Sequence, residues 1–296
     1  MKQHIELRKL RDFGQVFNDT FVFFKDNLKP LLRSLFVICG ILILLSVIST
    51  AATCLNVSSV ASFTPIQNTY SVERHTISML TNLAITFGVL MITQSCVNLV
   101  TLCYISVYLQ NKKQEPELAQ VWGYFKYYFW RVFGATLLLG FLIAIGSLFC
   151  VLPGIYLAVV FSLVIPIIVM ENASFGYAFN KSFTLIRNNW WFVFGVIIVV
   201  WLIIFVAYKV AGIPLSIMAL SSKMLTSKSI ITPLLIFFSV MQNMLIVTHS
   251  LLTIAIALCY FDLAEQKEAI GLLGRIENFG KPDDEEDHDL HLAEDY

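Results

Sequence analysis

The chain has 296 residues, of which 57% are hydrophobic and 14% charged, and its formal net charge is zero. Soluble domains are about half apolar and about one quarter charged, so this composition excludes an ordinary soluble protein and predicts an all-α, polytopic integral membrane protein. The charge is uneven, because residues 1–280 carry 19 basic and 12 acidic groups, a net of +7, whereas residues 281–296 carry eight acids and one lysine.

The first predicted element, residues 13–28, is a helix with aromatic residues along one face, and similar segments follow at 117–130 and 173–189. A helix with an aromatic stripe and a basic opposite face lies in the membrane interface rather than crossing it. We therefore predict three amphipathic helices at the cytoplasmic face. Their predicted membrane anchors are Phe17, Phe21, Lys25, Phe125, Lys126, Glu171, Phe179, Phe183, Arg187 and Trp190.

Six segments are apolar enough to cross a bilayer, which takes roughly 20 residues for each helix. The predicted spans are 31–55, 77–109, 132–151, 155–170, 190–210 and 230–261. The fourth is short and contains Pro166, whereas the second and sixth are longer than a bilayer requires. The order of the elements predicts a single domain of three hairpins, each led by one amphipathic helix. The acidic residues 281–296 are typical of a disordered tail.

The stretch FGQVFNDTFVFFKDN, residues 13–27, aligns without gaps with FGYAFNKSFTLIRNN, residues 175–189, and the two share six identities in fifteen positions. A fainter third copy precedes the third span. This pattern favours an internal repeat of one amphipathic helix and one hairpin. The alternative is that aromatic belts simply precede spans, as they do in many membrane proteins.

The distribution of Lys and Arg predicts the orientation of the spans. If the amino terminus is inside, sixteen of the twenty basic residues lie in cytoplasmic segments. We therefore expect a multi-pass protein of the cell inner membrane with both termini cytoplasmic. A basic inner face suits anionic lipid headgroups, so membrane lipid and a membrane-protein partner are the expected partners, and nucleic acid is not.

Polar residues cluster in two of the spans. Gln94, Asn98 and Thr101 share one face of the second span, and the sixth contains Gln242, Asn243 and His249. These two groups could line a polar path, or they could hold the helices together by hydrogen bonds. The sequence shows no catalytic constellation and no metal-ligand spacing. We therefore expect no enzymatic activity, no cofactor and no metal.

Residues 152–195, LPGIYLAVVFSLVIPIIVMENASFGYAFNKSFTLIRNNWWFVFG, resemble the glycerophosphoryl diester phosphodiesterase membrane-domain family. The matching features are a Pro153–Gly154 turn, Ser162 and Pro166, Val169 and Glu171, then Ala178, Ser182 and Leu185, and a closing YFDL at 260–263. The resemblance implies a membrane domain of six or more spans. Some members fuse this domain to a soluble phosphodiesterase barrel, but this chain has no room for such a barrel, and its five histidines do not form that enzyme's motif.

The sequence therefore predicts a non-enzymatic scaffold or accessory protein that organises lipid or a protein partner at the cytoplasmic face. The rival hypothesis is a transporter or a lipid flippase or scramblase, with a polar path between the second and sixth spans. A roomy polar cavity near the midplane would favour this rival.

Overall fold

The computed structural model describes residues 7–61, 69–111, 115–221 and 228–268, and every regular element in these ranges is a helix. In chain order the helices are α1 (Phe13–Asp26), α2 (Leu28–Ala61), α3 (Thr69–Gln110), α4 (Leu118–Phe149), α5 (Val151–Ser162), α6 (Val164–Met170), α7 (Phe175–Ile186), α8 (Trp190–Ser221), α9 (Lys228–Met244) and α10 (His249–Glu268). A 3₁₀ turn, Leu245–Thr248, joins α9 to α10. The predicted tail, 281–296, lies outside the described residues.

Six helical segments of the described chain are long and apolar enough to cross a membrane, which confirms the predicted all-α, polytopic architecture. They are Leu28–Thr53, Thr76–Gln110, Leu118–Phe149, Val151–Met170, Trp190–Pro214 and Ile236–Glu268. Several of these helices extend beyond their apolar runs, because backbone hydrogen bonding continues into polar sequence.

The predicted helix at 117–130 is not a separate element, because α4 runs without a break from Leu118 to Phe149. The other two amphipathic segments do form separate helices, α1 and α7. At the end of α1 the Asn27 side chain donates a hydrogen bond to the carbonyl of Phe23 over 3.0 Å, and Asn27 leaves the helical conformation. Asparagine competes for backbone hydrogen bonds in this way, whereas the aromatic sequence in the middle of α4 does not.

The hairpin partners pack along one another: α2 along α3, α4 along α5, and α8 along α9 and α10. Buried residues are densest on α3 from Cys96 to Tyr108, on α6, and on α10. The helices α1 and α7 and the last turns of α3 and α10 meet at one end of the bundle. We call this end the basal end. The core is therefore concentrated in the basal half of the bundle.

The turn between α4 and α5 differs from the prediction. It consists of Cys150 alone, which has an extended backbone, and Pro153 and Gly154 lie inside the first turns of α5. Proline is tolerated there because the first helical N–H groups have no partner within the helix. A Cβ on Gly154 would lie 3.0 Å from the Cα of Ser147, so the glycine permits α4 and α5 to approach closely. The thiol of Cys150 is free and exposed, and the Cys54 side chain lies outside the described residues.

Candidate functional site

A pocket of about 440 Å³ lies within the membrane-spanning part of the bundle, between α3, α8, α9 and the start of α10. It is lined by Leu90, Met91, Gln94, Trp201, Ile204, Phe205, Tyr208, Lys209, Gln242, Ile246 and His249. Volumes of about 300–1,000 Å³ with mostly apolar walls and a few polar groups are typical of small-molecule sites. This pocket is therefore the main candidate for a binding site in the described part of the chain.

The pocket extends from near the middle of the bilayer towards the end of the bundle opposite the basal end. Tyr104 donates a hydrogen bond to Asn27 over 3.0 Å, next to the first residue of the first span. Gln94 precedes Tyr104 by ten residues, a rise of about 15 Å at about 1.5 Å per residue. Because the hydrocarbon core is about 30 Å thick, Gln94 lies close to its midplane.

The sixth span is interrupted beside this pocket by the 3₁₀ turn Leu245–Thr248. Hydroxyl groups compensate for the change in backbone bonding: Thr248 donates to the carbonyl of Leu245 and Ser250 to that of Val247, each over 2.6 Å. Interrupted spans in lipid persist only where the released backbone groups find such partners. Gln242 and His249 are seven residues apart, on either side of the turn, and both face this pocket.

The six predicted intramembrane residues divide into two groups. Gln94, Gln242 and His249 line the pocket, whereas Asn98, Thr101 and Asn243 do not. Asn98 accepts hydrogen bonds from Gln94 of its own helix over 3.1 Å and from Thr253 of α10 over 2.9 Å. Asn98 therefore joins two spans.

Thr101 and Asn243 instead bond within their own helices. Thr101 donates to the carbonyl of Val97 over 2.8 Å, and Asn243 donates to the carbonyl of Ser239 over 2.9 Å. The predicted polar stripes thus supply both a pocket wall and a contact between helices.

No polar path continues from the pocket to the basal end within the described residues. On the basal side of Asn98, the side chains of Leu102, Cys103 and Ile105 on α3 are at most 2% exposed. Leu258 on the neighbouring α10 is 1% exposed. The pocket is therefore closed towards the basal end by a packed apolar core.

Five residues of α8 that were not among the predicted site residues complete the pocket, and three of them carry polar groups: Trp201, Tyr208 and Lys209. The ring of Tyr208 lies 5.6 Å from that of His249, and the Lys209 Nζ lies 5.2 Å from the centroid of the Phe205 ring. A lysine near the end of an otherwise apolar span can be recognised in the sequence as a candidate site residue. Its position is explained equally well by snorkelling, in which the ammonium group reaches the headgroups. Only the tertiary structure places Lys209 beside the polar residues of α3 and α9.

A buried polar network at the basal end ties the segment before α1 to α10. The backbone N–H of Arg11 donates to Asp262 over 2.8 Å, and the Arg11 Nε donates to Asp19 over 2.9 Å. Lys9 forms a second ion pair with Asp19 over 3.0 Å. Gln266 links this network to the α7–α8 junction, because it bonds to Asp262 over 3.0 Å and accepts from Asn189 over 2.8 Å.

A second network at the basal end is centred on Lys181 of α7. Its ammonium group pairs with Glu171 over 2.9 Å and with Glu268 over 2.6 Å, and Tyr260 donates to Glu171 over 2.5 Å. Burial alone would lower the pKa of Lys181, but the hydrogen bonds to Glu268 and Glu171 outweigh it and hold the pKa above its ordinary value. Glu171, which was among the predicted membrane anchors, therefore acts here as an ion-pair partner within the protein.

The predicted membrane anchors occupy different environments. Phe179 and Phe183 are half-buried against Phe161 of α5, with ring centroids 5.4 and 6.0 Å apart, so part of this aromatic stripe packs on protein. The ring of Trp190 stacks on that of Phe194 at 4.7 Å. Phe17 and Phe125 are also half-buried, whereas Phe21, Lys25, Lys126 and Arg187 are exposed.

Other basal aromatic residues, absent from the predicted set, are more exposed. Trp130 and Trp191 are each 77% exposed, and Tyr127 is 65% exposed. Aromatic residues with an apolar body and a polar tip favour the headgroup region.

Exposed charges at the basal end are mainly positive. Among the described residues of this end, seven basic side chains are exposed: Arg8, Lys25, Lys29, Arg33, Lys126, Arg187 and Lys267. Three acidic side chains are exposed there: Asp12, Glu115 and Glu117. The other acids are half-buried or buried, and several of them form the two networks described above, so folding concentrates positive charge on the outside.

Comparison of the chain with models of known protein families, with curated proteins and with solved structures gives no match. Within the described ranges, no three His, Cys, Asp or Glu side chains are grouped as metal ligands.

Proposed function

We propose that this protein is a non-enzymatic, multi-pass protein of the cell inner membrane that organises anionic lipid at its cytoplasmic face. One observation carries the proposal: seven exposed basic side chains and a set of exposed aromatic rings lie at one end of the bundle. Basic residues attract anionic headgroups by about 1 kcal/mol each near a membrane surface, and aromatic rings favour the same depth.

The amphipathic helices support this proposal by their position in the chain. Both α1 and α7 end at a short junction that contains an asparagine, Asn27 or Asn189, and each junction opens into a span. The backbone N–H of Leu31 bonds to Asn27 and that of Val193 to Asn189 over 2.9 and 3.2 Å. We propose that the two units are copies of one repeat and that both helices lie in the headgroup region.

The proposed orientation has a direct test, because a native cysteine marks the end of the bundle opposite the basal end. Cys150 is exposed in the α4–α5 turn, whereas Cys39, Cys96, Cys103 and Cys259 are buried. In a Cys54→Ser background, a membrane-impermeant maleimide added to intact cells should label the protein, and Cys150→Ser should abolish the label. If labelling requires permeabilised cells, Cys150 faces the cytoplasm and the orientation is opposite to the proposed one.

Lipid organisation is tested by the anionic lipid that copurifies with the protein in mild detergent. A triple variant, Lys25→Gln, Lys126→Gln and Arg187→Gln, should retain markedly less anionic phospholipid than the native protein, measured by mass spectrometry of the extracted lipids. The matched control, Lys25→Arg, Lys126→Arg and Arg187→Lys, keeps the charge and should retain the native amount. Equal enrichment in all three proteins would refute the proposal, and a stoichiometric copurifying protein would instead favour a scaffold for a protein partner.

The second candidate function is a transporter or a lipid flippase or scramblase. The pocket, which reaches mid-membrane depth, and the interrupted sixth span favour it, because transporters commonly bind substrate beside discontinuous helices. The packed core between the pocket and the basal end counts against an open path in this conformation. Purified protein in liposomes that moves fluorescent lipid between leaflets, with the movement lost in Gln242→Leu, would establish this function instead.

A further inference from the structure

Four polar side chains of the intramembrane pocket have no polar partner among the described side chains. Tyr208, Lys209, Gln242 and His249 make neither a hydrogen bond nor an ion pair with any other side chain that the structure describes. Polar groups in a membrane are costly unless they are paired, and they usually mark a functional site. Their convergence on a single pocket indicates a ligand that supplies the missing partners.

The ligand must be amphipathic, because the pocket faces the bilayer. Met91, Trp201 and Phe205 line it and are 52%, 47% and 41% exposed, although all three lie within membrane-spanning segments. A molecule that enters past these side chains comes from the hydrocarbon region. The polar lining then has to match a smaller polar part of the same molecule.

The order of the groups along the pocket matches a phospholipid. Lys209 follows Trp190 by nineteen residues, about 28 Å along α8, which places its ammonium group near the headgroups of the far leaflet. Gln242 lies at a similar depth, since its amide approaches Gly212 of α8, whereas Gln94 lies deeper, where an amide N–H group suits the ester carbonyls of a glycerolipid. The described lining contains no Asp or Glu, so nothing there opposes a negative charge.

We propose that this pocket binds one anionic phospholipid from the leaflet opposite the basal end. Its phosphate pairs with Lys209 and accepts a hydrogen bond from Gln242, an ester carbonyl accepts a hydrogen bond from Gln94, and one acyl chain lies against Trp201 and Phe205. The pocket volume accommodates part of such a lipid, and the remainder lies in the bilayer. This site is separate from the basal surface, so the two proposals stand or fall independently.

Trp201 provides a local probe of this site. The chain has five tryptophans, so Trp122, Trp130, Trp190 and Trp191 are changed to Phe and Trp201 is kept. The protein is placed in zwitterionic nanodiscs that contain a small fraction of either anionic or zwitterionic phospholipid with bromine at mid-chain. Bromine quenches tryptophan fluorescence at contact, so the quenching reports occupancy of the pocket.

At equal mole fraction, we expect the anionic lipid to quench Trp201 at least threefold more than the zwitterionic lipid. Lys209→Met should abolish this preference, whereas Lys126→Met, which removes an exposed basal lysine, should leave it unchanged. Gln242→Met should weaken quenching by both lipids equally, because both carry a phosphate. Native elution volume and helix content verify that each variant is folded.

Three results would overturn the proposal. Equal quenching by the two lipids in the native chain would indicate ordinary contact with bulk lipid. Equal effects of Lys209→Met and Lys126→Met would indicate non-specific electrostatic attraction of the anionic lipid. Full reversal of the quenching by inorganic phosphate, but not by chloride of the same ionic strength, would assign the site to a free anion. The basal triple variant should leave the quenching unchanged, which separates this test from that of the proposed function.

Discussion

Arg11→Met is expected to release the segment before α1 and part of α1 from the bundle. Arg11 is 5% exposed, and its side chain donates to Asp19 while its backbone N–H donates to Asp262, which is 0% exposed. Removing one partner of a buried ion pair costs about 3–5 kcal/mol, because the remaining charge stays buried. Lys9 still pairs with Asp19, so we expect a value near the lower end, about 3 kcal/mol.

Hydrogen exchange measures this effect locally, because exchange of backbone amides reports the free energy of local opening. A cost of about 3 kcal/mol corresponds to roughly 100-fold faster exchange in α1, since about 1.4 kcal/mol is a factor of ten. The exposed neighbour Arg8 provides the control, and Arg8→Met should leave the exchange unchanged. Native exchange rates in Arg11→Met, or equal acceleration by both variants, would show that the network does not hold α1.

Three further predictions concern the membrane-spanning part and the second basal network. Gly154→Val should destabilise the protein by about 1–3 kcal/mol, because the valine side chain collides with Ser147. This is measured as a lower midpoint of thermal unfolding. Lys181→Met should destabilise the protein equally at pH 7 and pH 9.5, because the raised pKa keeps the Lys181 ammonium charged at both. Its contribution to the free energy of unfolding disappears only as the pH rises through the folded-state pKa. Asn98→Leu should cost about 1 kcal/mol, measured by unfolding in detergent, since the hydroxyl of Thr253 loses its bond between the spans.

Each of these variants has a comparison that isolates its cause. Gly134→Ala adds a Cβ that meets nothing within 4 Å, so it should stabilise rather than destabilise α4. Lys126→Met removes an exposed lysine and should have little effect at either pH. Thr81→Val in the exposed part of α3 removes a hydroxyl that bonds only within its own helix, and it should cost less than Asn98→Leu.

The helices α1 and α4 show why the amphipathic pattern was only partly informative. Both carry aromatic residues at helical spacing before an apolar run, but only α1 is separated from its span. The deciding residue is Asn27, whose side chain donates to the carbonyl of Phe23 in α1 and accepts a hydrogen bond from the Tyr104 hydroxyl of another span. Periodicity detects the helix, but it does not detect where the helix is interrupted.

The polar residues of the second and sixth spans show a second limit. Gln94 and Asn98 are one turn apart on α3, and the sequence predicts that they share a face. Yet Asn98 contacts Thr253 of α10, while Gln94 faces an open pocket completed by Lys209 of α8. Which partner each residue meets depends on how the spans are arranged, and this arrangement is not encoded in the periodicity of any single span.

The sequence by itself determined that this is an all-α protein with six spans, because lipid requires long apolar helices whose backbone groups are bonded internally. It also indicated the surplus of basic residues outside the acidic tail. Only the tertiary structure decided that Asp19 and Glu171 turn inward to basic side chains and Asp262 to the backbone N–H of Arg11, leaving seven basic side chains exposed at the basal end. The physical reason is that hydrophobicity acts over each segment separately, whereas ion pairs and pockets form between residues that are distant in the chain.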